Sequence, residues 1–83
     1  MTPPEIPMVH RYLDVRRLLC PMPILKAEAA LRDMVTGEIL EMRATDPGLT
    51  RDLPAWCRMQ GHQLLALHQH GREWIGYVAK GCS

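Results

Sequence analysis

The chain has 83 residues, of which 47% are hydrophobic and 23% charged, and its formal net charge at pH 7 is +1. This length excludes a large multi-domain enzyme, because so short a chain buries only one small core. The near-neutral charge argues against a nucleic-acid binder that relies on a general basic field, while a local basic patch stays possible.

No signal for a membrane or for export is found in the sequence. The longest apolar run, residues 18–25, is far shorter than the roughly 20 residues that span a bilayer, and the first residues lack the basic and apolar regions of a secretory signal. Three cysteines, Cys20, Cys57 and Cys82, form no Cys-x-x-Cys pair, which favours reduced thiols over disulfides. We therefore expect a cytoplasmic protein.

The first elements follow from the periodicity of apolar residues. Residues 1–9 contain three prolines and are expected to form a flexible lead-in, with a single domain over residues 10–83. Residues 11–16 alternate between polar and apolar, with Leu13 and Val15 on one side, which predicts a first strand.

An amphipathic helix is predicted from Pro21 onward. Its apolar residues recur at spacings of three and four; they are Ile24, Ala27, Leu31 and Met34. Gly37 is expected to end this helix, and the alternation over residues 39–44 predicts a second strand.

The stretch 45–48 combines turn residues with a possible helix entry, where Asp46 or Thr50 can accept backbone N–H groups. A second helix is predicted to run to about Gln60, and Pro54 is expected to bend or divide it.

Two further strands, residues 63–70 and 73–80, are predicted after Gly61 and are joined by a tight turn at residues 70–72. The order is therefore β-α-β-α-β-β. Two helices with one apolar stripe each must both bury it on the sheet. This predicts an α/β (α+β) two-layer sandwich, with both helices on one face of a four-stranded mixed sheet.

The motif Cys20-Pro21-Met22-Pro23 places a thiol where the first strand meets the first helix. Unpaired N–H groups at a helix N-terminus favour an anion and can lower the pKa of a thiol from about 8.5 to between about 3.5 and 7.5. Pro21 suits the first helical position. Met22 precedes a proline, however, which can delay the helix to Pro23 and leave Cys20 before it, with a weaker dipole effect. The alternative is a small buried hydrophobic residue in an ordinary helix opening.

The sequence resembles the TusA family of sulfur-carrier proteins, also called SirA-like or YedF-like, over about residues 13–81. The matching stretches are Leu13-Asp14, Cys20-Pro21-Met22-Pro23, Gly37-Glu38, Asp46-Pro47, Thr50-Arg51-Asp52-Leu53-Pro54-Ala55-Trp56-Cys57 and Lys80-Gly81. The resemblance implies the sandwich predicted above, similar to the C-terminal domain of bacterial translation initiation factor three. It also implies that Cys20 carries sulfur as a persulfide.

One departure from the family concerns the residues before the cysteine. The family commonly has Gly-Leu-Arg there, whereas this chain has Arg17-Leu18-Leu19. We therefore expect Arg16, Arg17 or Arg51 to provide the basic environment of the thiol.

Other polar residues have two interpretations each. Asp14 orients the cysteine loop or is a solvated strand residue; Arg51 and Asp52 belong to a docking rim or form a charge pair at the start of a helix. Lys80 steers an acidic partner or ends a strand.

The remaining sulfur-containing and imidazole residues are not expected to react or to bind metal. Cys57 is interpreted as a buried filler and Cys82 as an exposed residue near the C-terminus. His68 and His70 share one face of a strand but lack further ligands, so we expect no metal site. The methionines at positions 34, 42 and 59 are expected in the core.

The sequence thus predicts a small sulfurtransferase that carries sulfur on Cys20 and needs neither a metal nor another cofactor. Its expected partners are a sulfur-donor protein, either a cysteine desulfurase or a rhodanese-like protein, and an acceptor protein thiol. The routes implied by the resemblance are tRNA thiolation, sulfur oxidation and molybdenum-cofactor assembly. We expect a monomer with no membrane or direct nucleic-acid partner. The alternatives are a non-catalytic RNA- or protein-binding regulatory module and a thiol redox sensor.

Overall fold

The computed structural model describes residues 8–81, which form four strands and two helices. In chain order these are β1 (Arg11–Val15), α1 (Met22–Arg32), β2 (Ile39–Ala44), α2 (Leu49–Gln60), β3 (Gln63–His70) and β4 (Glu73–Ala79). The predicted order of elements is confirmed. Most of the predicted N-terminal lead-in lies outside the described residues.

The sheet has the strand order β1-β2-β4-β3. Strand β1 is parallel to β2, whereas β4 is antiparallel to both β2 and β3, so the predicted mixed sheet is confirmed. The two parallel strands each lead into a helix. Helices α1 and α2 therefore begin at the same edge of the sheet, where β1 and β2 end, and we call this the carboxyl edge.

The core lies between the helices and one face of the sheet. Its buried side chains come from β1, β2, β4, both helices and the segment just after α1; they are Val15, Ile24, Ala27, Ala30, Leu31, Met34, Leu40, Met42, Ala44, Leu49, Leu53, Cys57 and Val78. All four apolar residues predicted to line the first helix are among them. None of the helices within residues 8–81 is long and apolar enough to cross a membrane.

The prediction that Met59 lies in the core is wrong, since its side chain is 79% exposed. Met59 follows the buried Cys57 by two residues in α2. Two residues correspond to about 200° around a helix, so a side chain at this spacing faces away from the core.

Helix α1 ends earlier than predicted. It stops at Arg32, with Asp33 as its C-cap, because the N–H groups of Asp33 and Met34 bond to carbonyls only three residues back and tighten the last turn. Gly37, the predicted end, instead has a φ of 91° in the following turn. This conformation is available to glycine at little cost.

Helix α2 is continuous from Leu49 to Gln60, so Pro54 does not divide it, and the alternative, a bend at Pro54, stays a prediction. A proline at this position lacks the N–H that would bond to the carbonyl of Thr50, and its ring crowds that carbonyl. Of the two predicted capping residues, Asp46 accepts the N–H of Gly48 at 3.0 Å. The Thr50 hydroxyl instead donates to the carbonyl of Pro47 at 2.8 Å.

Candidate functional site at Cys20

Cys20 lies at the carboxyl edge, in the loop that connects β1 to α1. Two hydrogen bonds join this loop to the one that follows β2. The N–H of Arg17 donates to the hydroxyl of Thr45 at 2.9 Å, and the N–H of Cys20 donates to Oδ2 of Asp46 at 2.8 Å. The position of the thiol is therefore set by side chains of the neighbouring strand–helix connection.

The start of α1 differs from the prediction. Pro21 is the N-cap residue and the helix begins at Met22, so Pro21 is not its first residue. Met22 is helical although a proline follows it, and the delay to Pro23 does not occur. The N–H of Met22 donates to the carbonyl of Leu19 at 3.0 Å. Cys20 thus lies before the helix, and the first amide of the helix, that of Met22, is already bonded.

The prediction of a thiol with a lowered pKa is wrong. Burial, together with hydrogen bonding to the carboxylates of Asp46 and Asp52, raises the pKa of Cys20 to about 12. A carboxylate disfavours a nearby thiolate because both are negative. It also accepts a hydrogen bond from the protonated thiol, which stabilises the neutral form. The pKa of Asp46 is lowered in turn, first by the N–H of Cys20 and then by that of Gly48.

Exposed apolar side chains lie on both sides of Cys20 in the sequence. Leu19 is 74% exposed, Met22 42% and Leu25 50%. We call these three residues the apolar rim. Leu25 follows Met22 by three residues and therefore lies on the same side of α1. Adjacent exposed apolar residues are typical of a surface that binds another protein.

Arg16 does not provide a basic environment for Cys20, because two carboxylates neutralise it. Its Nε and one terminal nitrogen each donate to Asp14 at 2.9 Å, and the other terminal nitrogen donates to Glu73 at 3.2 Å. The bond from Arg16 lowers the pKa of Asp14 to about 2. Asp14 therefore orients the side chain of Arg16 and also accepts the backbone N–H of Arg16 at 3.1 Å, at the start of the cysteine loop. The N–H of Cys20 itself bonds to Asp46.

An open groove of about 520 Å³ lies next to the cysteine loop. It is lined by Asp14, Arg16, Arg17, Thr45 and Glu73. With two cationic and two anionic side chains, the groove is balanced in charge and lacks the basic character expected around the thiol.

Arg17 occupies the position where the family commonly has glycine. Its φ is 71°, in the left-handed region that favours glycine. The loop has therefore kept the backbone conformation without the residue type that suits it.

Arg51 and Lys80 lie at opposite ends of the helical layer. Arg51 is near the start of α2, where its exposed side chain is 3.7 Å from Asp52. Lys80 instead donates to the carbonyl of Met34 at 2.5 Å, just past the end of α1. Its ammonium group satisfies a carbonyl of the α1 terminus and is remote from Cys20.

Cys57 is only 2% exposed, which confirms its interpretation as a buried filler, and burial raises the pKa of its thiol to about 11. Cys82 lies outside the described residues. His68 packs on the ring of Tyr77, with 6.1 Å between ring centroids. Within residues 8–81, no group of three or more histidine, cysteine, aspartate or glutamate side chains is placed to hold a metal ion.

Sequence reasoning missed the contact of Asp46 and Asp52 with Cys20 and the apolar rim. A signal for the carboxylates was present, because parallel strands that are followed by helices end at one edge of the sheet. Asp46 follows β2 closely, as Cys20 follows β1, so the two could be expected to meet there. The signal for the rim was that Met22 and Leu25 fall outside the apolar stripe of α1.

The fold and the site define a small two-layer sandwich that presents a single half-buried cysteine between the starts of two helices. The sequence profile of the family described as sulfurtransferase TusA matches residues 11–80. The chain therefore belongs to the TusA sulfurtransferase family, and this membership supports a role as a sulfur carrier or sulfurtransferase.

Similar proteins share this assignment. The chain is 39% identical over 71 residues to YrkI of Bacillus subtilis, covering 86% of this chain and 95% of YrkI. It is 42% identical over 69 residues to YrkF of the same organism, covering 83% of this chain but only 37% of the longer YrkF. Both relatives are named as candidate sulfur carriers. The crystal structure of a SirA-like protein from Desulfitobacterium hafniense has a TM-score of 0.75 at 18% identity and covers 88% of this chain and 100% of that protein. This likeness confirms the fold.

Proposed function

We propose that the protein is a persulfide carrier, in which Cys20 accepts a sulfane sulfur from one protein and passes it to a thiol of another. The observation that carries the proposal is the exposure of Cys20 in a chain that belongs to a sulfurtransferase family. Cys20 is a partly exposed thiol beside an apolar rim, whereas Cys57 is enclosed in the core. Pro21, Met22 and Pro23 complete the motif and shape the presentation of the sulfur.

The chemistry is a displacement at sulfur. The Cys20 thiolate attacks the terminal sulfur of a donor persulfide; one S–S bond forms, the donor S–S bond breaks, and the donor leaves as a thiolate that regains a proton. The overall exchange converts the Cys20 thiol and the donor persulfide into a Cys20 persulfide and a donor thiol. Attack by an acceptor thiolate then releases the sulfur in the same way. No net oxidation or reduction occurs in either step.

The proposed donor is a cysteine desulfurase or a rhodanese-like protein, and the acceptor is a protein thiol. The apolar rim favours proteins as the partners, because exposed apolar surface is typical of protein interfaces. The groove beside the cysteine loop is open and polar. The downstream routes that we consider are tRNA thiolation, sulfur oxidation and molybdenum-cofactor assembly. The cytoplasmic location expected from the sequence stays a prediction.

Intact-mass measurement after sulfur loading tests the proposal. The protein is incubated with a cysteine desulfurase and free cysteine, and the modified peptide is mapped. We expect a mass increase of one sulfur atom on Cys20, its loss in Cys20→Ser, and its retention in the matched variant Cys57→Ala. Loading that persists in Cys20→Ser, or that maps to another cysteine, would contradict the proposal.

A further inference from the structure

The carboxylates beside Cys20 are unexpected for a protein whose work requires a thiolate. Asp46 comes from the connection between β2 and α2, and Asp52 comes from the first part of α2. Asp46 is held against the loop by the N–H groups of Cys20, at 2.8 Å, and of Gly48, at 3.0 Å. It therefore cannot leave the thiol without breaking both hydrogen bonds.

The charged groups that act most strongly on the thiol are the carboxylates of Asp46 and Asp52, and both are negative. The first turn of α1 contains no acidic residue, and it also has no free cation placed against the sulfur. Within residues 8–81, no cationic side chain is within 4 Å of Asp46. Arg51 contacts Asp52 only at 3.7 Å and is 86% exposed, so water screens this pair strongly.

We propose that Asp46 and Asp52 retain the proton of Cys20 in the free protein, and that the reactive thiolate forms when a docking partner presents a cationic side chain to these two carboxylates. The inference rests on the proposed carrier function and adds the kind of partner that the site selects. That partner is a protein whose reactive cysteine lies in a loop with arginine or lysine beside it. Its apolar residues would pack on the apolar rim.

The proton balance of the step follows from this arrangement. As the partner's cation pairs with Asp46 or Asp52, the negative potential at Cys20 decreases and its proton leaves to water. The Cys20 thiolate then takes the terminal sulfur from the donor persulfide, and the departing donor thiolate gains a proton in its place. The carboxylates position the partner and select it by its charge, while the sulfur of Cys20 alone forms the new bond.

Two synthetic persulfide donors test the partner chemistry. One is a short peptide with arginine on both sides of a persulfidated cysteine, and the other has glutamate at the same positions. We expect the wild-type protein to be loaded at least about tenfold faster by the arginine peptide at low salt, since complementary charge speeds association and mismatched charge slows it. The preference for the arginine peptide should fall several-fold in the double variant that combines Asp46→Asn and Asp52→Asn. It should persist in the control Asp33→Asn, which removes a carboxylate at the far end of α1.

A second measurement separates the electrostatic role from a structural one. Alkylation of Cys20 by neutral iodoacetamide at pH 7 should become about tenfold faster for each unit by which the variants lower the thiol pKa. Asp52→Asn on its own gives the same direction of change and leaves the backbone bonds of Asp46 in place. If the substitutions acted only through the structure, the loading rates with the two peptides would change equally, and the pH profile of Cys20 alkylation would not shift.

The outcomes distinguish the inference from the carrier function. Equal loading by both peptides, or an unchanged alkylation profile in Asp52→Asn and in the double variant, overturns the inference and leaves the carrier function standing. Failure of both peptides to load Cys20 overturns the carrier function and the inference together.

Discussion

The N–H of Cys20 donates to Oδ2 of Asp46 at 2.8 Å, across a separation of 26 residues. The other carboxylate oxygen accepts the N–H of Gly48 at 3.0 Å. A single side chain therefore joins the connection that presents the thiol to the connection that begins α2. The geometry of the thiol depends on the packing of β1 beside β2, and not on α1 alone.

Replacing Asp46 with alanine should loosen this junction. The N–H groups of Cys20 and Gly48 lose their acceptor, so their hydrogen exchange should become faster by at least about tenfold, as expected when a protecting bond is removed. The N–H of Arg17 bonds to Thr45 instead and provides an internal control. Amide exchange followed by NMR makes the measurement, and unchanged protection at Cys20 would contradict the role of Asp46.

The reactivity of Cys20 should rise with pH well beyond the usual range. Because its pKa is raised to about 12, the thiolate fraction should increase about tenfold per pH unit from pH 7 to 10. Site-resolved mass spectrometry after brief alkylation measures this profile, with a short unstructured cysteine peptide as the control, whose rate levels off above its pKa of about 8.5. A plateau of the Cys20 rate below pH 9 would be inconsistent with the carboxylate environment.

Arg17→Gly should stabilise the protein, because φ at this position is 71°. A side chain in the left-handed region is strained, and we expect a gain of about 0.5–1 kcal/mol in the free energy of unfolding after the greater freedom of unfolded glycine is subtracted. Urea denaturation measures the change. Arg17→Ala keeps the strain while removing the charge, so a similar gain in that variant would point to the charge and not to the backbone.

Gly81→Ala should destabilise the fold, since an added Cβ would collide with the backbone carbonyl of Gly61. The N–H of Gly81 also donates to Nδ1 of His62 at 2.9 Å, so the chain cannot move away freely. We expect a cost of about 1–3 kcal/mol by thermal or urea unfolding. Gly37→Ala is the comparison, because its Cβ would meet nothing within 4 Å and only the positive φ is strained. Wild-type stability of Gly81→Ala would show that the two segments separate easily.

Lys80→Met tests whether this lysine caps a helix or docks a partner. The variant loses the bond to the carbonyl of Met34 and a favourable charge at the α1 terminus, and we expect a loss of about 1 kcal/mol in stability. If Lys80 takes no part in docking, the rate at which Cys20 accepts sulfur should change by no more than a factor of about two, because salt screens the effect of a distant surface charge. A large decrease in that rate at full folding would assign Lys80 to docking.

Much of the fold could be predicted from the sequence because its elements have strong periodicities. The predicted bounds of β2 and β3 coincide with those observed, and the predicted stripe of α1 is buried. Errors occurred where the local pattern was weak or tertiary contacts decided the outcome. Pro54 is accommodated within α2, and Met59, near the end of that helix, faces solvent.

The environment of Cys20 was harder to predict than its position. The motif locates the thiol correctly, but its pKa is raised by burial and by Asp46 and Asp52, which are distant in sequence. The arginines close to it in sequence were expected to assist it. The structure shows that Asp14 and Glu73 pair with Arg16. Side-chain pairing across strands is not encoded in the spacing of a short motif.

The chain enters and leaves the described fold at the end of the sheet remote from Cys20. Arg11 pairs with Leu40 near the start of β2, and Ala79 pairs with Ile39 at the same end. Helix α1, with 11 residues, separates the two poles by about 16 Å at 1.5 Å per residue. Gly81, the last described residue, therefore lies at the pole opposite the thiol, and a protein that docks at Cys20 would leave this pole open to an affinity tag, a fluorophore or a solid support.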